Sequence, residues 1–141
     1  MDRASPPGGY SGTPLPVKLG IRSGQAEAVL GGPDGFAENL AAQAGVEARL
    51  DLNGAALFDV IVFFSPWRAG LESELGRLRG HMAPAGGLWI AWPKRAAKVA
   101  TDMSDSVVRE IALPTGLVDN KVCAIDAVWT GLRLVIRKEL R

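Results

Sequence analysis

The most restrictive feature of the sequence is the run FDVIVFF at residues 58–64, in which Asp59 is the only polar side chain. A β-branched and aromatic run without polar alternation is typical of a strand in a parallel sheet that is covered on both faces. The next segment carries apolar residues at helical spacing, namely Trp67, Leu71, Leu75, Leu78 and Met82. A second fully apolar strand, LWIAW at residues 88–92, follows it. Strand, helix and strand in this order predict an α/β fold.

The same kind of alternation extends to both sides of this unit. Before it, the patterns predict a helix with Thr13 as N-cap and Pro14 in its first turn, a strand from Ala26 to Leu30, a helix from Phe36 to Gly45 and a strand from Val46 to Leu50. After it, they predict a helix that begins at Ser104 and ends near Pro114 and Gly116, and two strands, Val118 to Trp129 and Leu132 to Lys138, joined by the turn Thr130-Gly131. We therefore expect a doubly wound, mostly parallel sheet with a C-terminal antiparallel hairpin.

Composition sets the domain count and the broad class of protein. The 141 residues are 48% apolar and 22% charged, which suits one globular domain. Residues 1–12 are rich in Pro, Gly and Ser, so we expect a flexible tail followed by a single domain at 13–141. The formal net charge is only +1, which gives no general reason to expect nucleic acid or a membrane as partner. No apolar run is long enough for a signal peptide or a spanning helix, so we expect a cytoplasmic protein.

Several segments resemble a class I methyltransferase core. LGIRSGQAEAVLGGPDGF is similar to the first glycine motif of that superfamily, FDVIVFF resembles its fourth strand, MAPAGGLWIAW its fifth, and the final hairpin its reversed last strand. YSGTPL, GLWIAWPK and GLVDNKVCAIDAVWTGLRLV together resemble a bacterial family, the three-thousand-fifty-second domain of unknown function, which brings no established reaction. The resemblance implies a truncated methyltransferase-like Rossmann fold.

The superfamily's cofactor motif is only partly present. The resemblance implies that Gly31, Gly32 and Gly35 would hold S-adenosylmethionine if the cofactor binds. It also implies that Asp51 would contact the ribose hydroxyls of the cofactor. Val29, however, stands where the motif has an acid, and Pro33 stands where it has its middle glycine and a backbone donor. The link from Leu50 to Phe58 is also too short for the helix, strand and helix that the superfamily places there. We therefore expect a degenerate site that holds no cofactor. On this interpretation VLGGPDGF is a strand-to-helix turn, with Asp34 capping the helix.

Open α/β sheets place ligands at the carboxyl ends of their strands. There the sequence brings together Asp34, Lys94, Lys98, Asp126 and Trp129, which are our candidate ligand-binding residues. They could form a small anion-binding cleft, in which the two lysines supply charge and Trp129 a wall. The other interpretation is a set of solvated loop charges with a structural ion pair between Lys94 and Asp126.

No catalytic residue can be assigned from the sequence. His81 is the only histidine and falls at the end of a helix, so a histidine-based metal site and a serine-histidine-aspartate triad are not expected. Cys123 is the only cysteine, lies in an apolar strand, and is expected to be an unreactive core residue. Asp119 opens a strand and could pair with Lys121 or satisfy turn backbone.

These observations leave three functional hypotheses. The first is a binding or regulatory module with a degenerate cofactor site, which binds an anionic small molecule or a protein partner. The alternative is a divergent S-adenosylmethionine-dependent methyltransferase, or another small transferase or hydrolase that acts at the carboxyl ends of the strands. The third is a homodimer that works through an exposed apolar patch.

Overall fold

The structure of the chain, a computed structural model, describes residues 13–54 and 56–141. The α-helices in this part of the chain are α1 (Leu15–Leu19), α2 (Phe36–Ala44), α3 (Arg68–Gly80) and α4 (Asp105–Ala112). The strands are β1 (Glu27–Leu30), β2 (Ala48–Arg49), β3 (Phe58–Phe64), β4 (Met82–Pro93), β5 (Leu117–Ala124) and β6 (Trp129–Ile136). The predicted tail at residues 1–12 lies outside the described residues. No described helix is both long enough and apolar enough to cross a membrane.

The described strands form a single sheet in the order β2-β1-β3-β4-β6-β5. Strands β1 to β4 are parallel, β6 is antiparallel to β4, and β5 is antiparallel to β6. Helices α1 and α2 pack on one face through Leu19 and Leu40, while α3 and α4 pack on the other through residues such as Leu75 and Val108. The predicted doubly wound sheet with a C-terminal hairpin is confirmed.

Strands β3 and β4 lie at the centre because both of their faces are apolar. Val60 and Val62 pack with α1 and α2, whereas Ile61 packs with α3 and α4. Trp89 of β4 is fully buried, and its indole N–H donates to the carbonyl of Leu19, 3.0 Å away. That hydrogen bond satisfies the indole and fixes the end of α1 to the sheet.

The short link before β3 makes β2 an edge strand. Among the described residues between β2 and β3, none belongs to a helix or a strand. Strand β2 therefore pairs only with β1 and has two residues, fewer than the five predicted from Val46 to Leu50. The truncation expected from the sequence is present on this side of the sheet.

The final hairpin turns earlier than predicted. Residues 125–128 form the turn, while Thr130 and Gly131 lie inside β6 and pair with β4 and β5. The Asp126 carboxylate accepts the N–H groups of Val128 and Trp129 at 2.8 and 2.7 Å, which closes the turn at that point. The prediction of a Thr130-Gly131 turn is therefore wrong.

Three other boundaries differ by smaller amounts. The N-cap of α1 is Pro14 rather than Thr13. Helix α3 begins after Trp67, which is 49% exposed and is not part of its buried stripe. Met82 is the first residue of β4, which starts well before the apolar core of that strand.

Candidate functional site

The turn between β1 and α2 depends on two glycines with left-handed backbone. Gly31 has a φ of 71° and Gly35 a φ of 80°. A Cβ atom at Gly31 would lie 2.9 Å from the backbone carbonyl oxygen of Phe64, at the end of β3. Gly31 therefore allows the turn to approach β3 more closely than any side chain would permit.

This turn lies where the chain changes direction across the sheet. Strand β1 has β2 on one side and β3 on the other, so the crevice at its carboxyl end is the topological switch point of the fold. A cavity of about 260 Å³ opens there. We call it the glycine-turn cavity; it is lined by Val29, Gly31, Gly32, Pro33, Asp34, Gly35, Ala37, Glu38 and Leu50.

Four predicted residues line this cavity, namely Gly31, Gly32, Asp34 and Gly35, whereas Asp51 does not. The Asp51 carboxylate accepts the backbone N–H of Asn53 at 3.1 Å and lies 3.4 Å from Arg49 Nη2. The Asn53 hydrogen bond, with the nearby Arg49 guanidinium, holds the pKa of Asp51 below its ordinary value. In this arrangement Asp51 stabilises its own turn.

Asp34 does not cap α2 as predicted. The N-cap is Gly35, and no side chain accepts a hydrogen bond there. The left-handed backbone at Gly35 sets the direction in which the chain enters the helix, so the start of α2 depends on this glycine and not on the Asp34 side chain. The Asp34 side chain is exposed at the cavity instead.

A cluster of three aromatic side chains extends from the glycine turn towards the final hairpin. The ring of Phe64 makes edge-to-face contacts with Phe36 at 4.9 Å and with Trp129 at 5.1 Å between centroids. Trp129 is therefore held near the turn by Phe64, as a half-buried packing residue. This position agrees with its predicted place at the rim.

The other predicted rim residues do not join the glycine-turn cavity. Lys94, Lys98 and Asp126 are absent from its wall. No ion pair between Lys94 and Asp126 occurs in the described part of the chain, and the backbone N–H of Lys94 donates to Val128 at 2.7 Å. The predicted cleft is thus divided: Asp126 serves the hairpin turn, and Arg95, not either lysine, lines a separate cavity of about 510 Å³ beyond β4.

We expect Asp126→Ala to destabilise the fold and Lys94→Ala to leave it nearly unchanged. The first change removes an ionised acceptor from two turn N–H groups and should lower the free energy of unfolding by about 2 kcal/mol. The second removes a side chain with no ion pair and should cost less than about 0.5 kcal/mol. Urea unfolding of both variants measures the difference. Equal losses would show that Lys94 also supports the turn through its side chain.

The remaining singled-out residues have structural roles. His81 Nδ1 lies 2.8 Å from the carbonyl oxygen of Ala56, at the end of α3. Burial raises the pKa of the Cys123 thiol, which is the behaviour of an unreactive cysteine. Asp119 pairs with Arg109 at 3.0 Å, whereas Lys121 donates to the carbonyl of Lys18. Within residues 13–54 and 56–141, no group of three or more His, Cys, Asp or Glu could hold a metal ion.

Sequence reasoning missed Glu27. This residue of β1 is 1% exposed, and neither carboxylate oxygen has a hydrogen-bond partner in the described chain. Burial raises its pKa to about 7. The available signal was an acid inside the apolar strand AEAVL. Glu27 lies two residues before Val29, towards the amino end of the strand, and lines a different cavity from the glycine turn.

The fold is similar to solved methyltransferase structures. A protein assigned as a type 11 methyltransferase from Sulfolobus solfataricus has a TM-score of 0.65 at 12% identity, covering 88% of this chain and 90% of its own. An S-adenosylmethionine-dependent methyltransferase from Clostridium acetobutylicum gives 0.58 at 9%, covering 86% and 87%. The glycopeptide N-methyltransferase MtfA, solved with sinefungin, gives 0.61 at 9%, covering 86% and 90%.

Sequence comparison adds nothing to this likeness. No protein-family model matches the chain, and no curated protein matches it significantly. At identities of this size the structural similarity establishes the architecture alone. The described part of the chain therefore has the class I methyltransferase, Rossmann-like fold, with the segment between its second strand and the next strand shortened.

Proposed function

We propose that the chain binds S-adenosylmethionine in the glycine-turn cavity and is a divergent methyltransferase domain. The observation that carries this proposal is the position of that cavity at the topological switch point, against a turn that Gly31 brings close to β3. The solved structures with the same architecture include methyltransferases that depend on S-adenosylmethionine, which supports the same conclusion.

The residues of the cavity suit the parts of such a cofactor. The exposed side chain of Leu50 and the buried Val29 offer apolar contact for a flat base. The first turn of α2 directs its positive dipole end to this side of the sheet. Glu38, in that first turn, lines the cavity and places a carboxylate there. In our proposal the Glu38 carboxylate holds the cofactor's ammonium group. Val29, which stands where the motif has an acid, has no side-chain oxygen that could do so.

The cofactor, once bound, would supply the methyl group. The chain's own residues would bind and orient it: the glycine turn fixes the approach, and Phe64 with Trp129 forms a firm aromatic support behind the turn. The structure assigns no general base to the acceptor.

A binding module without methyl transfer is the second candidate function. It is favoured by Val29 and Pro33, which remove an acid and a backbone donor from the glycine motif. On that hypothesis the same carboxyl-end surface would take an anionic small molecule or a protein partner. The two functions differ in whether S-adenosylmethionine binds at all, which one titration decides.

We expect amide NMR titration with S-adenosylmethionine to move the resonances of Gly31, Gly32 and Gly35. Ala37→Leu should weaken that binding at least tenfold, since it adds bulk to the cavity wall from a helical position that tolerates leucine. Ala42→Leu makes the same change at an exposed position of the same helix and should leave the affinity unaltered.

Two results would contradict the proposal. One is the absence of any shift in the glycine turn at saturating S-adenosylmethionine and S-adenosylhomocysteine, which would favour the binding module. The other is an equal loss of affinity in the Ala37→Leu and Ala42→Leu variants, which would place the ligand elsewhere on α2. Thermal unfolding of both variants shows whether each remains folded.

A further inference from the structure

A second cavity, at the opposite end of the sheet, is lined in part by Glu27, whose carboxyl oxygens are buried and have no hydrogen-bond partner in the described part of the chain. It measures about 440 Å³ and lies at the amino end of β1, among the end of α2, β2 and the start of β3. We call it the amino-end cavity; its lining includes Gln25, Glu27, Val46, Glu47, Arg49 and Phe58. None of these residues lines the glycine-turn cavity.

Glu27 is the unusual member of this lining. It is almost completely buried, yet neither oxygen finds a donor among the described residues. Buried polar groups in folded proteins are nearly always hydrogen-bonded, and an unpaired buried carboxylate is costly. A group that is kept in this state beside a cavity is therefore a candidate to pair with something that enters the cavity.

The charged neighbours of Glu27 do not supply that partner. Arg49 pairs in register with Ala28, whereas Glu27 pairs with Ala48, so Arg49 and Glu27 point to opposite faces of the sheet. The Arg49 guanidinium is also engaged, 3.4 Å from Asp51 and 5.9 Å from the centre of the Phe58 ring. On the neighbouring strand β3, the Asp59 carboxylate accepts the N–H of Ala26 at 3.0 Å and so adds negative charge.

Other features of the cavity also favour a cation. Glu47, an exposed acidic residue, also lines the cavity. Gly45, the C-cap of α2, lines the cavity, and the carboxyl end of a helix carries partial negative charge. Val46, which packs on the α1 and α2 side of the sheet, provides apolar surface in the same wall. Negative charge next to apolar surface suits an ammonium group attached to a short hydrocarbon chain.

We propose that the amino-end cavity binds a primary alkylammonium group, with the Glu27 carboxylate as its counter-charge. The site is separate from the glycine turn, so it does not depend on cofactor binding. The ligand class is a small aliphatic amine that presents one compact cation and a few methylene groups. Binding would require the neighbours of Glu27 to move only enough to admit the ammonium to its oxygens.

The test is an amide NMR titration of the whole chain with n-butylammonium chloride at slightly alkaline pH. We expect shifts at Gln25, Glu27, Gly45 and Val46, and much smaller ones with n-butanol, which has the same hydrocarbon chain without the charge. Glu27→Gln should reduce the affinity for butylammonium at least tenfold, because the neutral amide keeps the shape and removes the counter-charge. Glu139→Gln, a matched change at an exposed residue, should leave it unaltered.

Three outcomes would overturn the proposal. If butylammonium moves none of these amides, the cavity does not take an amine. If butanol binds as well as butylammonium, the cavity selects hydrocarbon rather than charge. If Glu27→Gln binds butylammonium as tightly as the unchanged chain, the counter-charge is another group. The spectrum of the Glu27→Gln variant without ligand shows that it is folded.

Discussion

Gly31→Ala should lower the free energy of unfolding by about 3 kcal/mol, as the sum of two costs. The first is the left-handed backbone, since a φ of 71° costs a residue with a Cβ about 1 to 2 kcal/mol relative to glycine. The second is steric, because the new methyl group would lie 2.9 Å from the Phe64 carbonyl oxygen, which is backbone and can move only with β3. Urea denaturation of the variant gives the value.

Gly35→Ala is the matched control for this prediction. Gly35 has a similar φ of 80°, but an added Cβ there would meet no atom within 4 Å. The loss of unfolding free energy in Gly35→Ala should therefore be limited to the same conformational cost of about 1 to 2 kcal/mol. The difference between the two variants isolates the contact between the turn and β3. Equal losses would mean that the turn is not held against β3, and the glycine-turn cavity would lose its back wall.

The central part of the fold could be predicted from the sequence because its signals are local and redundant. The run at residues 58–64 is apolar on both faces, and the helix after it carries a clear apolar stripe; both elements form where expected. The short segment between β2 and β3 was equally informative, since chain length alone excludes an additional strand with its helices.

The turn of the final hairpin was predicted at the wrong position because glycine occurs both in turns and at tightly packed positions inside strands. Thr130-Gly131 looks like a turn from sequence, but Gly131 lies in β6, where a Cβ would come within 3.1 Å of both Trp89 and Ile125. Glycine is needed there for packing against a tryptophan from another strand, a contact that no local pattern encodes. The true turn depends on Asp126, whose role as an acceptor was hidden by its apolar neighbours.

The candidate sites were harder to predict because side-chain partners depend on tertiary structure. Asp51 was predicted to contact the cofactor and Asp126 to bind a ligand, yet both carboxylates accept backbone N–H groups of their own turns. Arg68, at the start of α3, pairs with Glu72 and with Glu110 and so joins α3 to α4, which no local pattern indicates. Glu27 was overlooked since its burial results from three elements that meet at the amino end of β1.

The Glu27 carboxyl should make the stability of the chain fall as the pH rises through neutrality. Its folded-state pKa of about 7 lies above the ordinary value of 4.5, so the folded state binds this proton more tightly than the unfolded state. The resulting stabilisation is complete below the unfolded-state pKa and is lost as the pH rises to the folded-state pKa. The loss between these two limits should be about 2 to 3 kcal/mol, since each pKa unit corresponds to roughly 1.4 kcal/mol.

Glu27→Gln removes this titration and should give a chain whose stability changes little between about pH 5 and about pH 8. The difference in unfolding free energy between the unchanged chain and this variant should therefore shift in favour of the variant across that range. Other shifted carboxyls do not interfere, because the pKa values of Asp51 and Glu110 are lowered and both groups are ionised throughout. Glu139→Gln, at an exposed position, should follow the unchanged chain. A constant difference between the chain and Glu27→Gln would mean that Glu27 titrates as it does in water, and that the amino-end cavity lets solvent reach its carboxyl.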